Sequence, residues 1–239
     1  MRKSVLWAFR AIAVVIALSS VFVQDHLQAQ GAASATYITK EQVDAVNATP
    51  GTDRTLEVFD LGKTAMSIGI IHRGPTGGAA RGGAAGAARG AAAGAARGAG
   101  AGAGGGAGRA NAAPPVPCGD KVATLPADAT PGAIAHDQTT ETYIIVSGAG
   151  TLVTGGKIVN GNRSAPDSEV TRVLNGPSCS GPTVGNVVKK VVKTGDIIVI
   201  PAGVPHGWTD ITDHVDYLSV RPDPDKVLEH GYVHPALKK

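Results

Sequence analysis

The chain has 239 residues, with 22 Lys and Arg against 19 Asp and Glu, a formal charge of +3, 33 glycines and only 4% aromatics. This composition excludes a collagen, a coiled coil and a multi-pass membrane protein, and the length suits little more than one ordinary domain. The charge is unevenly placed: residues 1–29 carry +2 and residues 74–113 carry +4, leaving −3 for the remainder, a mildly acidic body that argues against a nucleic-acid partner.

Residues 1–29 read as a secretory signal peptide, with basic Arg2 and Lys3, an apolar run of 13 residues from Ala11 to Val23, and the small residue Ala29 at a cleavage point. The run is short for a membrane span of about 20 residues. Ala33-Ser34-Ala35 offers a second small-residue site, so the cleaved bond stays open. The leader predicts a secreted or periplasmic protein with no membrane attachment after signal removal. In that oxidising setting Cys118 and Cys179 are able to pair, although two cysteines alone do not establish a disulfide.

Residues 30–54 are expected to be an N-terminal helical segment. Thr39 caps a helix over residues 39–48, Gln42 stands three residues on at the capping-box spacing, and Pro50-Gly51 ends it. Residues 55–73 hold the first strands, TLEVFDL and AMSIGII, with a turn at Gly62-Lys63.

In residues 74–113, 33 of 40 residues are Gly or Ala, and Arg81, Arg89 and Arg97 recur every eight residues. Such side chains bury too little apolar area to offset the backbone entropy of ordering, so a disordered insertion is expected. An RNA tether is disfavoured, because a single Arg-Gly-Gly occurs, at residues 81–83, with no interleaved aromatic. A tether to anionic envelope material is a further reading of the four arginines.

Residues 114–223 are expected to complete an all-β domain. Short apolar runs (TYIIVSG, GTLVTGG, KIVNG, VVKKVVKTGD, IIVIPAG, VDYLSVRP) alternate with Gly and Pro, which argues for a sandwich or barrel. Residues 224–239 read as a C-terminal tail with a short helix over Asp225–Glu229.

Two segments carry chemistry-bearing residues: AIAHDQTTETYIIVSGAG (133–150) and GDIIVIPAGVPHGWTD (195–210). In the first, His136 is followed after four residues by Glu141 and after six more by Gly148; in the second, Gly195, Pro201-Ala202-Gly203 and His206 follow at fixed spacing. Together they resemble the two motifs of the cupin superfamily. Two positions depart from that pattern: Ile134 stands where the family has the first His of a His-x-His pair, and Asp210 stands where it has Asn. The resemblance implies a single jelly-roll β-barrel, a homodimer, and one divalent metal ion (Fe, Mn, Ni or Zn).

Side-chain alternation gives the same grouping, since residues two apart on a strand share a face. Ile134, His136 and Gln138 share one face, Glu141, Tyr143 and Ile145 another, and His206, Trp208 and Asp210 a third. If these faces converge, His136, Glu141 and His206 form a two-His-one-carboxylate metal site with open positions. Gln138 and Asp210 are further oxygen donors. Ile134, Tyr143, Trp208 and Arg221 are candidate pocket residues; Tyr143 and Trp208 suit core packing as well, and Arg221 suits a rim salt bridge ahead of a substrate carboxylate. His72 is read as an exposed residue beside the insertion, and His214, His230 and His234 as solvated. The expected activity is metal-dependent oxygenation, isomerisation or lyase chemistry on a small molecule. Binding of a sugar or small acid without catalysis, with Ile134 marking a degenerate metal site, is the alternative. A serine-hydrolase elbow, a P-loop and a His-Glu-x-x-His motif are all absent from the sequence.

Overall fold

The computed structural model describes residues 35–76 and 115–238. The expected signal peptide and residues 77–113 of the expected insertion lie outside the described residues. The first element is the predicted helix, α1 (Lys40–Asn47). Thr39 accepts from the Gln42 backbone N–H, and the Gln42 side chain accepts from the Thr39 N–H at 2.9 Å, so both halves of the capping box form.

Ten strands follow: β1 (Asp53–Asp60), β2 (Ala65–Arg73), β3 (Pro117–Cys118), β4 (Thr130–His136), β5 (Glu141–Ile158), β6 (Gly161–Arg163), β7 (Ser178–Lys193), β8 (Ile197–Ile200), β9 (His206–Thr209) and β10 (Val215–Asp223). Every pairing between them is antiparallel. One sheet runs β1-β2-β10-β5-β8. In the other, β5 pairs β9, β9 pairs β4, β4 pairs β7, and β7 returns to β5, a closed circuit of strands. The expected all-β, barrel-like architecture with a short N-terminal helix is therefore the one the chain adopts.

The strand count differs from the expectation in an instructive way. TYIIVSG, GTLVTGG and KIV are not three strands but one strand of 18 residues, β5. The glycines that read as punctuation are bends within it. At Gly148 (φ +73°) a Cβ would lie 2.0 Å from the His214 carbonyl oxygen, so only glycine fits. There β5 changes partner: Gly148 is opposite Val215 of β10, and Ala149 is opposite Lys193 of β7. One strand thus serves both sheets, and its first residue, Glu141, is carried into the space between them.

That space is filled by a core of aromatic and branched side chains, among them Tyr143, Ile145, Leu152, Trp208, Val215 and Tyr217. The tail is part of the fold rather than a free end. The expected helix over residues 225–229 is a turn, Leu228 is buried against Val58 and Ala65, and the Tyr232 carbonyl accepts from the Val58 N–H at 2.9 Å. A one-turn 3₁₀ helix, Pro235–Leu237, follows. Cys118 of β3 and Cys179 of β7 are joined by a disulfide that closes 61 residues of chain, with Cα atoms 6.0 Å apart. Among the described residues no helix is long and apolar enough to cross a membrane.

Candidate metal centre

Period-two alternation delivers the site. On β5, Glu141, Tyr143 and Ile145 are buried while the residues between them are not; on β9, His206 and Trp208 are buried; on β10, Tyr217, Ser219 and Arg221 face the same interior. His136 ends β4, two residues after Ile134, which lies directly across from His206. His136, Glu141 and His206, distant in sequence, each offer one ligand atom within 4.8 Å of the others, and they are 2%, 1% and 4% exposed.

Glu141 is held by a dense set of donors. Arg221 Nε donates to its Oε1 at 2.7 Å and Ser219 Oγ to the same oxygen at 3.1 Å, while Tyr143 OH donates to Oε2 at 2.7 Å. Burial by itself would raise this carboxyl; Arg221, and after it His136, hold it well below the usual carboxylate range. Glu141 is therefore ionised, and Tyr143 beside it is pushed well above its usual value by burial and by that charge.

The imidazoles are fixed from the far side. Ser178 Oγ donates its single proton to the Gly176 carbonyl at 2.8 Å, so it must accept from His136 Nδ1 at 2.8 Å. His206 Nδ1 lies 2.9 Å from the Val204 carbonyl, which can only accept. Both rings thus carry their proton on Nδ1, the arrangement that outer partners impose on metal-ligating histidines. Both Nε2 atoms face Glu141 Oε2, at 3.3 Å from His136 and 3.0 Å from His206. With no proton on either Nε2, three acceptors this close repel unless a cation sits among them. Burial holds His136 below its ordinary pKa, which disfavours a proton as that cation. A divalent ion fits: two donors each about 2.1 Å from an ion and at a right angle to each other lie about 3 Å apart.

Other expectations are corrected. Arg221 does not face a substrate carboxylate. It is fully buried, and its guanidinium is committed to Glu141, to the Leu174 carbonyl at 3.1 Å and to Asp53 Oδ2 at 2.6 Å. Gln138 and Asp210 are exposed: β4 has ended before Gln138, and Asp210 follows β9 with φ +52°, so alternation no longer aims either side chain inward. Trp208 belongs to the core, donating from Nε1 to Tyr217 OH at 3.2 Å, and Tyr143 stacks between that pair and the site, its ring centroid 4.3 Å from that of Tyr217. Ile134 is buried. His72 pairs with Asp216 at 2.6 Å, and His214, only part-exposed, pairs with Asp213 at 2.7 Å.

Sequence reasoning missed Ser178, Ser219, Tyr217 and Asn175. Alternation along VDYLSVRP would have found Tyr217 and Ser219 once Arg221 was placed inward. Nothing local marks Asn175, whose Nδ2 lies 3.2 Å from His136 Nε2, because the segment that carries it has no strand or helix pattern.

No family model and no curated protein matches the chain. Solved structures to which it is similar include an oxalate oxidase (14% identity over 74% of this chain and 54% of that one, TM-score 0.30). A Bacillus halodurans protein shares 11% identity over 84% of this chain and 90% of its own, with a TM-score of 0.38. A Lactobacillus farciminis oxalate decarboxylase shares 9% over 74% and 34%, with a TM-score of 0.30. The chain spans about half the length of the oxalate oxidase it matches. Likeness at this level leaves the reading of the site to its own geometry.

Proposed function

We propose that this is an exported cupin-like metalloprotein that holds one divalent first-row ion through His136 Nε2, His206 Nε2 and Glu141 Oε2 and acts on a small oxygen-bearing molecule. The observation that carries the reading is the convergence of His136 Nε2, His206 Nε2 and Glu141 Oε2 in the buried interior, with an acceptor behind each ring for its Nδ1 proton. Two imidazoles and one carboxylate suit Fe, Mn, Ni or Zn and leave coordination positions for a ligand. Such an ion, when bound, supplies Lewis-acid polarisation or dioxygen activation. The protein's own part is positioning. Arg221 and Ser219 fix one carboxylate oxygen, Tyr143 steadies the other, and Ser178 and the Val204 carbonyl set both tautomers. The leader and the Cys118–Cys179 bond support export, because disulfides persist in oxidising compartments.

Metal analysis of the purified full chain tests the reading. About one ion per chain is expected, and a His136→Ala, His206→Ala double variant should lose it. Ion at a hundred times Kd should stabilise the wild type by about 2.7 kcal/mol and leave the double variant unmoved. A chain without stoichiometric metal, or a double variant that keeps it, overturns the proposal.

A second reading, binding of a sugar or small acid without catalysis, is favoured by one observation: the apolar Ile134 lies across from His206 where the motif calls for a donor. A thermal shift with such ligands on the metal-free chain, together with no turnover by the loaded chain, would select it.

A further inference from the structure

Ile134 leaves the donor set one side chain short of the pattern the motifs resemble, and a residue outside both motifs approaches the same atoms. Asn175 follows a π-helical turn, Val170–Leu174, in the connection from β6 to β7. Single turns of this kind concentrate at functional sites. The segment is pinned from three sides: Thr55 Oγ1 donates to the Val173 carbonyl at 3.0 Å, Arg221 to the Leu174 carbonyl at 3.1 Å, and the Glu229 N–H to the Arg172 carbonyl at 2.7 Å. Gly176, at φ +73°, closes it in; a Cβ there would lie 2.8 Å from Val227. The guanidinium that holds Glu141 therefore also holds the peptide leading into Asn175.

The Asn175 side chain is aimed at the centre. It is 7% exposed, and Nδ2 lies 3.2 Å from His136 Nε2. Its Oδ1 is buried with no hydrogen-bond partner in the protein, an arrangement that costs about 1–3 kcal/mol in a protein interior. Because His136 carries its proton on Nδ1, Nε2 accepts from the Asn175 amide only while its lone pair is free. Once that lone pair is given to an ion, the NH2 group would face a cation. A half-turn about the last side-chain bond exchanges the nitrogen and oxygen with almost no change of shape. The oxygen would then stand where Nδ2 stands now, near 3 Å from Nε2, the spacing of neighbouring ligands about one ion.

We propose that Asn175 supplies the fourth protein donor, its amide oxygen, so that the centre is two His, one Glu and one Asn rather than a three-residue set with a gap at Ile134. This rests on the metal reading above. It draws the connection between β6 and β7, which the motifs ignore, into the site.

The test titrates the full chain with Mn²⁺ and with Co²⁺, following affinity by calorimetry and Co²⁺ coordination by its visible absorption. Asn175→Ala should weaken binding by about 10- to 100-fold and alter the Co²⁺ spectrum. Asn175→Asp keeps the size and the oxygen, adds a charge beside Glu141, and should bind at least as tightly as wild type while lowering the melting temperature of the metal-free chain. A purely structural Asn175 would give both variants the same direction of change in affinity. Unchanged affinity and spectrum in Asn175→Ala overturn the assignment and leave the three-residue centre standing. A wild type that binds neither ion overturns both. If Asn175→Ala does not fold, the Asn175→Asp titration decides: binding weaker than wild type rejects the assignment.

Discussion

The two sides of the centre are built from different materials. The Glu141 side belongs to β5, β10 and β1 and is charged and crowded: the buried Glu141 and Arg221 pair at 2.7 Å and Arg221 reaches the part-buried Asp53 at 2.6 Å, with Ser219 and Tyr143 adding donors. The histidine side belongs to β4, β9 and the connection before β7. It has one hydrogen bond behind each ring and an unpartnered amide oxygen beside it. The difference bears on which half of the proposed centre would need an ion. The carboxylate already has its countercharge in Arg221, so the apo fold tolerates it; the imidazole lone pairs and the Asn175 oxygen have no such partner. Charge neutralises one side permanently, and the other is left for an ion.

The largest expected effect comes from removing that permanent countercharge. Arg221→Met leaves the buried Glu141 without its cation, and truncating one partner of a buried pair costs about 3–5 kcal/mol. Urea unfolding of the variant and wild type measures it. The pH dependence sharpens the assignment. In the wild type the folded Glu141 carboxyl lies well below its ordinary 4.5, so its contribution is complete above that value and is lost as pH falls through the depressed folded value. In Arg221→Met the main lowering influence is gone, burial prevails, and this acid-side loss should move to higher pH. A variant within 1 kcal/mol of wild type at pH 7 would show that Arg221 is not the anchor.

The disulfide acts on the opposite side. Cys179 follows Ser178 on β7 and lies across from Ala135, one residue from His136. Closing 61 residues of chain restricts the unfolded ensemble, and losing such a link costs about 2–4 kcal/mol. The Cys118→Ser, Cys179→Ser double variant should unfold at correspondingly lower urea and should weaken metal binding more than it disturbs the Glu141 network. Equal stability of oxidised and reduced wild type would sink this expectation.

Much of this was legible in the sequence, and what was not has physical reasons. The helix was marked by its own cap residues, a local device. His136, Glu141 and His206 were marked by spacing and alternation, which hold as long as a strand stays straight. Those rules failed where strands stop, at Gln138 and Asp210, and where glycine bends a strand without ending it, at Gly148. Arg221 was located on the correct strand, but its role depended on Asp53 and Glu141, residues 168 and 80 positions away. Asn175 was beyond reach, because an irregular segment has no period from which to read a direction.

The smallest expected effect, and the most diagnostic for the histidine side, is that of Ser178→Ala. The hydroxyl is the acceptor that keeps the His136 proton on Nδ1. Without it that proton can move to Nε2, where Glu141 Oε2 waits at 3.3 Å and accepts it. The ring would then present N–H instead of a lone pair, and binding would require breaking that hydrogen bond first. Metal affinity should fall about tenfold or more, while folding stability should fall by only about 1 kcal/mol. Burial keeps the folded imidazole below its ordinary 6.5, so the unfolded chain takes up more protons just below that value and apo stability declines as pH falls through it. In Ser178→Ala the protonated ring would leave its Nδ1–H without the Ser178 acceptor, so the folded imidazole should be held lower still and this decline should extend to lower pH. Calorimetric metal titration beside urea midpoints between pH 5 and 7 reads both quantities; an affinity loss no larger than the stability loss would mean that Ser178 only packs, and that the tautomer is set elsewhere.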